Sequence, residues 1–313
     1  MLFSVLIAHF NNTSYLPEAL DSVMAQSFKN WEIILVDDGS TEDFDAVIQP
    51  YLQDERIRIF RNNKNAGCGY TKHKCVYHAS GQLLGFLDPD DVLLPDALQR
   101  MALVHRLRPD CSLAHSTHYV CDQMLKRCRK AEYVMALPEG TPYLMLGDGR
   151  VHHFATFKKS AYTRTPGIDN ANQKAVDQDL YYLLEEQGPI VFLDEPLYKY
   201  RIHDGGISTS GREAEATKWH QQVIMKACIR RIRRLEADNR RDSINYKQLR
   251  QRFAQVRIQH DFRMARWGAM AYHILLYPFQ GGWQHVRSYV KKLALQGPSI
   301  LHKTFREDHR IQP

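Results

Sequence analysis

The chain has 313 residues, 44% of them hydrophobic and 25% charged, with a net charge of +7. This composition excludes a disordered or collagen-like chain and suits one sizeable domain with an appendage. The charge is unevenly spread. Residues 1–211 carry 21 Lys and Arg against 27 Asp and Glu, a net of −6, whereas residues 212–313 carry 21 against 8, a net of +13. Six cysteines, at 68, 75, 111, 121, 128 and 228, show no Cys-x-x-Cys spacing. Zinc binding is therefore not expected, and reduced thiols in a cytoplasmic setting are. Met1 leads straight into an apolar strand without a basic n-region or cleavage site, so secretion is not expected either.

In chain order, Phe3–Ala8 reads as a buried strand that ends in His9-Phe10-Asn11-Asn12. A helix-like segment follows from Leu16 to Gln26, and then the β-branched strand Trp31–Val36, which ends in Asp37-Asp38-Gly39-Ser40. A second helix-like segment runs from about Asp43 to Leu52. Continuous apolar strands alternating with helices predict a parallel sheet covered on both faces. Strand Leu83–Phe86 then runs into Leu87-Asp88-Pro89-Asp90-Asp91. Three acids this close repel one another, and a divalent cation or a shared proton relieves the strain. The competing reading is a solvated turn before a helix, with Asp as N-cap and Pro95 near N1. In a parallel sheet the strand C-termini open on one edge, where ligands bind, so His9–Asn11, Asp37/Asp38 and Asp88/Asp90/Asp91 are expected to converge.

This order of motifs resembles the family 2 glycosyltransferases of the GT-A fold, over roughly residues 1–205. The matching pieces are Ser4–Ile7 with Phe10-Asn11, Leu16–Val23 with Gln26-Ser27, Trp31–Ser40, Asn65-Ala66-Gly67, and Gly85–Asp91. The resemblance implies an α/β, Rossmann-like, mostly parallel sheet flanked by helices. It also implies transfer of a sugar from a nucleotide-diphosphate sugar, with a divalent metal, Mg²⁺ or Mn²⁺, on the diphosphate. Ala8, Phe10, Asn11, Asp37, Asp38 and Gly67 are then expected around the nucleotide, the Phe10 ring stacking on the base. Asp88 and Asp90 match the family's Asp-x-Asp pair, with Asp90 the direct ligand, and Asp91 is assigned to the start of the following turn. Where the family commonly has Arg after Asn-x-Gly, this chain has Lys72, which keeps the charge but loses the two-pronged fork.

Further on, Val176-Asp177-Gln178-Asp179 opens a helix that Gly188-Pro189 stops. The family usually has Glu-Asp here; Val176 stands at the Glu position and Asp177 keeps that of the general base for an inverting transfer. Asp179 is expected to be a cap or solvated. Val191–His203 resembles the family's closing strand, with Arg201 supplying positive charge and His203 approaching the metal or the diphosphate. Gly205-Gly206-Ile207-Ser208 reads either as a flap or as an ordinary loop. For His152 and His153, ahead of the strand-like Phe154–Phe157, a structural role near the acceptor edge is expected.

Ser208–Gly211 reads as a linker, which gives two expected domains: a catalytic domain, 1–211, and a basic amphipathic helical extension, 212–313. Helical pattern from about Glu213 to Asp261 carries Arg230, Arg231, Arg233, Arg234, Arg240 and Arg241. Met264–Phe279 is apolar and aromatic, but Arg266 and His273 interrupt it, and it falls short of the ~20 apolar residues of a membrane span. Trp283 and Tyr289, interleaved with Arg287, Lys291 and Lys292, continue the theme. Such a tail either packs on a protein surface or lies on an anionic membrane surface, which brings the enzyme, peripheral on the inner face, to a lipid-linked acceptor. The acceptor expected is a glycan or lipid-linked saccharide in surface polysaccharide synthesis.

Two other functions compete. A sugar-nucleotide nucleotidyltransferase uses a related sheet but needs a glycine-rich basic loop after the first strand, and His9–Thr13 has neither glycine nor base. A binding module holding a nucleotide sugar, or nucleic acid through the basic tail, lacks any nucleic-acid motif, and no nucleic-acid partner is expected.

Overall fold

A computed structural model describes residues 1–204 and 213–264, together with 266, 268–269 and 272–273. The expected flap and linker at 205–211 lie outside the described residues, as do most of 264–279 and all of the tail from 274 onward. The chain divides into two compact units between Trp219 and His220.

In the first unit nine strands form one sheet. They are β1 (Phe3–His9), β2 (Trp31–Asp37), β3 (Ile57–Arg61), β4 (Leu83–Phe86), β5 (Val92–Leu93), β6 (Leu113–Cys121), β7 (Cys128–Lys130), β8 (Ala155–Lys158) and β9 (Ile190–Arg201). The order is β3-β2-β1-β4-β8-β6-β9-β5, with β7 on β6. As expected, β3, β2, β1 and β4 are parallel. The remainder makes the sheet mixed: β8 is antiparallel to β4 and β6, β5 to β9 and β7 to β6, while β9 runs parallel to β6.

The helices are α1 (Leu16–Met24), α2 (Phe44–Ile48), α3 (Cys68–His78), α4 (Ala97–Leu107), α5 (Tyr143–Leu146), α6 (Lys159–Tyr162) and α7 (Val176–Glu185). Because strand side chains alternate, Phe3, Val5, Ile7, Ile33 and Leu35 fall on one face. There they bury against Leu16, Ala19, Leu20 and Val23 of α1 and Ala97, Leu98 and Met101 of α4. The second predicted helix is shorter than expected. Asp43 caps α2 by accepting from Ala46 N–H at 3.1 Å, and Pro50 falls in a 3₁₀ turn, Gln49–Tyr51, that ends it.

Pro95 is not at N1 of a helix, since α4 begins at Ala97. Asp96 stands at the N-cap, but its side chain makes no cap hydrogen bond. Gln26 satisfies the helix start instead, its Oε1 accepting from Leu98 N–H at 3.0 Å and its Nε2 donating to Leu94 O at 2.7 Å. The thiol expectation also needs correction. Cys121 and Cys128 face each other in the β6–β7 register and are joined by a disulfide; Cys68, Cys75, Cys111 and Cys228 are free.

The helical pattern of the extension resolves into α8 (Glu213–Ala237) and α9 (Ile244–Arg263), the latter capped by Ser243. Val223, Ala227 and Cys228 are buried on α8, and Leu249, Val256 and Ile258 on α9. Arg233, Arg234, Arg240 and Arg241 are exposed. Among the described residues no helix is long and apolar enough to cross a membrane.

The acidic turn after β4 is anchored from beneath. Asp91 does not start the following turn: its N–H donates to Asp88 O at 3.1 Å and closes the Asp88–Asp91 turn, and its side chain points inward and is buried. Its carboxyl accepts from Tyr198 OH and from Arg201 N–H, both at 2.7 Å, which fastens the turn to β9. Burial, with Asp90 and Asp88 nearby, pushes this carboxyl well above the ordinary range, against those two bonds. Asp91→Ala should lower the unfolding free energy by about 1–3 kcal/mol for each of the two donors left unpaired. Urea titration measures this, and a loss under about 0.5 kcal/mol, the scale of neutral surface changes, would show that the anchor is dispensable.

Candidate active site

Register places the motif ends together. His9 lies opposite Asp37 in the β1–β2 pair, and Leu87 N–H donates to Leu6 O at 3.0 Å, carrying Asp88 alongside the end of β1. The expected convergence of the three strand ends is therefore present.

The first two clusters build a loop platform. Asp37 is fully buried, and its carboxylate meets His9 Nδ1 at 3.0 Å, Ser40 Oγ at 2.5 Å and Arg61 Nε at 3.2 Å. Burial raises its pKa, but the His9 and Ser40 hydrogen bonds outweigh that and hold it below the ordinary range. Asp38, also buried, accepts from Asn62 Nδ2 at 2.8 Å and from Ala66 and Gly67 N–H, each at 2.9 Å. Both carboxylates thus hold loops, where the sequence suggested that they border the base. Asn11, at φ +46, ties the β1 end to the next loop by donating to Ser40 Oγ and accepting from Thr41 N–H. Gly39 is required here: its φ is +72, and a Cβ would stand 2.7 Å from the Lys64 backbone. Gly67, at φ +93, precedes α3 and faces open space. Ala8 is half-buried, and the Phe10 ring is 43% exposed beside it, an apolar face available for stacking.

The charged center lies next to this platform. Lys72, on α3, is buried, and its Nζ donates to both oxygens of Asp177 at 2.8 Å and approaches Asp88 Oδ1 at 3.5 Å. Burial alone lowers an ammonium pKa, yet Asp177 and Asp88 hold that of Lys72 well above its usual value. Burial likewise pushes Asp177 up, but the Lys72 charge and hydrogen bonds, with His153, outweigh it and keep the carboxyl below the ordinary range. Asp177 sits in the first turn of α7, behind Ala175 in the left-handed region at φ +55. Asp179 is not solvated: it is buried and accepts from Asn172 Nδ2 at 2.8 Å.

Asp90 and His203 form a second pair, Nε2 to Oδ2 at 2.9 Å, with Tyr15 packed on the His203 ring at 4.9 Å. Arg201 departs from expectation. Its side chain is buried, and it donates to Asp90 O at 2.6 Å, Gln123 O at 2.5 Å and Glu18 at 2.8 Å. Its donors are engaged inside the protein, so it braces the Asp90 turn rather than facing the cleft.

The residues present fit a divalent cation in part. Asp90 and His203 supply an oxygen and an imidazole nitrogen 2.9 Å apart, close to the ~3 Å edge of an octahedron with bonds of about 2.1 Å. The three-donor set with Asp88 is not assembled, because Asp88 turns to Lys72 and to His153, whose Nε2 is 3.5 Å from Asp88 Oδ2. Among the described residues no group of three His, Cys, Asp or Glu is gathered to hold an ion. Tyr15 and Glu18 are the site neighbors that sequence reasoning missed, and no sequence signal marks them; His153, expected near the acceptor edge in a structural role, lies against Asp88.

A family model described as glycosyl transferase family 2 matches residues 4–166, more than half of the chain. The chain belongs to glycosyl transferase family 2. This family 2 chain is 28% identical over 235 residues to a chondroitin synthase of Escherichia coli, covering 74% of the chain but 33% of that protein. It is 27% identical over 209 residues to the putative glycosyltransferase EpsE of Bacillus subtilis, covering 63% of the chain and 72% of that protein. The chain thus spans about a third of the length of the chondroitin synthase. Among solved structures, S. aureus TarS 1-349 in complex with UDP-GlcNAc superposes with a TM-score of 0.64 at 16% identity, over 92% of this chain and 83% of that one. The mannosyltransferase PcManGT from Pyrobaculum calidifontis, in complex with GDP-Man and Mn²⁺, superposes with a TM-score of 0.57 at 12% identity, over 98% and 84%. These likenesses support the GT-A fold of the family 2 chain.

Proposed function

We propose that this chain transfers a sugar from a nucleoside diphosphate sugar to a hydroxyl of a saccharide acceptor, free or lipid-linked, with inversion at the anomeric carbon. The observation that carries the reading is the pair of carboxylates, Asp177 and Asp88, bridged by one buried lysine beside the strand ends. The nucleotide sugars in the TarS and PcManGT complexes, and the polysaccharide synthases among the relatives, support it.

In this reading the Phe10 ring stacks on the nucleobase, with Ala8, Asn11 and Gly67 lining the loop floor that Asp37 and Asp38 hold in shape. Asp88 binds the donor. Asp90 and His203 would hold a divalent cation, Mg²⁺ or Mn²⁺, which supplies positive charge to the leaving diphosphate. Asp177 takes the proton of the acceptor hydroxyl as that oxygen bonds to the anomeric carbon and the bond to the diphosphate oxygen breaks. Lys72 keeps Asp177 ionised until that moment and adds positive charge near the departing phosphate.

Asp177→Asn should leave donor binding within about twofold and lower kcat by about 10²-fold or more, as expected for a lost general base. Asp90→Ala should instead weaken metal-dependent donor binding. Titration calorimetry with UDP-, GDP- and dTDP-sugars, alongside transfer assays, separates the two, and full activity in Asp177→Asn would remove the base assignment.

For the extension we propose an anionic lipid surface on the cytoplasmic side as partner, on the strength of the exposed Arg233, Arg234, Arg240 and Arg241. Reversing these four to Glu should abolish sedimentation with phosphatidylserine vesicles at low salt. Unchanged sedimentation would exclude the proposal.

A further inference from the structure

Two carboxylates face the cleft, and two basic side chains stand behind them. The side chains of Asp177 and Asp88 are 28% and 30% exposed, those of Lys72 and His153 only 6% and 11%. Lys72 approaches Asp88 Oδ1 from α3, while His153, just ahead of β8, approaches Oδ2. Both distances are 3.5 Å, so each carboxylate oxygen has a basic nitrogen from a different element at the outer limit of hydrogen-bond distance.

His153 is itself firmly placed. Its ring lies over that of Tyr198, with centroids 4.9 Å apart and planes within 11°, and nearly parallel to that of Tyr200. Its carbonyl accepts from His118 Nδ1 at 3.3 Å. The same Tyr198 accepts from the Asp88 N–H at 3.2 Å, so backbone and carboxylate of Asp88 are referred to one rigid stack. A core histidine in this protein behaves differently: His105 spends its Nε2 on Thr156 Oγ1 at 3.0 Å, away from the cleft. The torsion that turns an Asp carboxylate about its own axis is soft and roughly two-fold. Burial of the backbone does not fix it; contacts to both oxygens do.

We propose that His153 is a positioning residue for Asp88, holding Oδ2 while Lys72 holds Oδ1, so that the carboxylate plane is set before the sugar nucleotide arrives. The role rests on the reading of Asp88 as a donor-binding group. The ring serves as a support and Nε2 as the working atom.

Two substitutions in the full chain separate ring from nitrogen. His153→Phe keeps the stack on Tyr198 and removes Nε2; His153→Gln loses the ring and returns an amide nitrogen near that place. With the sugar nucleotide that the wild type uses best among UDP-, GDP- and dTDP-sugars, His153→Phe should raise the donor KM by about tenfold or more, the scale of a misplaced binding group. His153→Gln should stay within about threefold of wild type, and His153→Phe should add nothing to Asp88→Asn, because the two act through one contact. A Phe variant matching wild type, a Gln variant as impaired as Phe, or additivity with Asp88→Asn overturns the proposal. Should His153→Phe not fold, the Gln variant still decides, since a tenfold loss there overturns it. Crystal structures of the variants give a readout that does not depend on transfer: Asp88 should turn in the Phe variant and stay in the Gln variant. A wild type inactive with every sugar nucleotide would defeat the functional reading alone, leaving those structures to judge the role of His153.

Discussion

One buried ammonium organises the site. Lys72 joins Asp177, 105 positions away in sequence, to Asp88. Without it, two partly desolvated carboxylates would face each other, and like charges at such distances push one another toward protonation. Breaking a fully buried pair by removing one partner costs about 3–5 kcal/mol. The cost is smaller here, because both carboxylates keep part of their surface in water. The arrangement therefore trades some stability for a carboxylate, the proposed base, that stays ionised while half-buried. An arginine at position 72 would offer a broader, planar donor; the compact ammonium fits between two acids on different elements.

The rest of the unit holds that geometry still. Asp91, Tyr198 and Arg201 lock the acidic turn to β9 through bonds of 2.7 Å to the buried carboxylate. Arg201 reaches onward to Glu18 on α1 and to the β6–β7 connection, so the Asp90–His203 pair rests on three elements at once. On the other flank Asp38 fastens the loop that starts α3, and so fixes where Lys72 emerges. Acidic residues thus serve two purposes in one cleft. Those turned inward are structural, and those left partly open carry the proposed chemistry.

The sequence made the first part of this fold readable and the finer division of roles less so. Largely apolar runs of four to six residues, followed by polar residues after β1 and by acids after β2 and β4, identify these strands, because parallel strands buried on both faces leave such a pattern. The mixed second half has weaker signals: β8 and β9 carry polar and aromatic residues, and their pairing is decided by long-range register. Which acid points in and which points out is set by partners far away in sequence. Tyr198 and Arg201 for Asp91, and Asn172 for Asp179, were invisible as partners in the linear chain. The same holds for His153, whose meaning comes from a tyrosine 45 positions later, and for the Cys121–Cys128 bridge, whose spacing matches no metal or redox motif.

Lys72 holds the carboxyl of Asp177, the proposed base, ionised. The pH dependence of kcat/KM, which reports groups of the free enzyme, tests it most directly when wild type is compared with Lys72→Met. Wild type should keep its activity into acid, with the limb below the ordinary carboxylate range, since the lysine outweighs burial at Asp177. In Lys72→Met burial is left unopposed by that charge, and the limb should move to higher pH. A limb that stays in place when the lysine is removed would contradict the account.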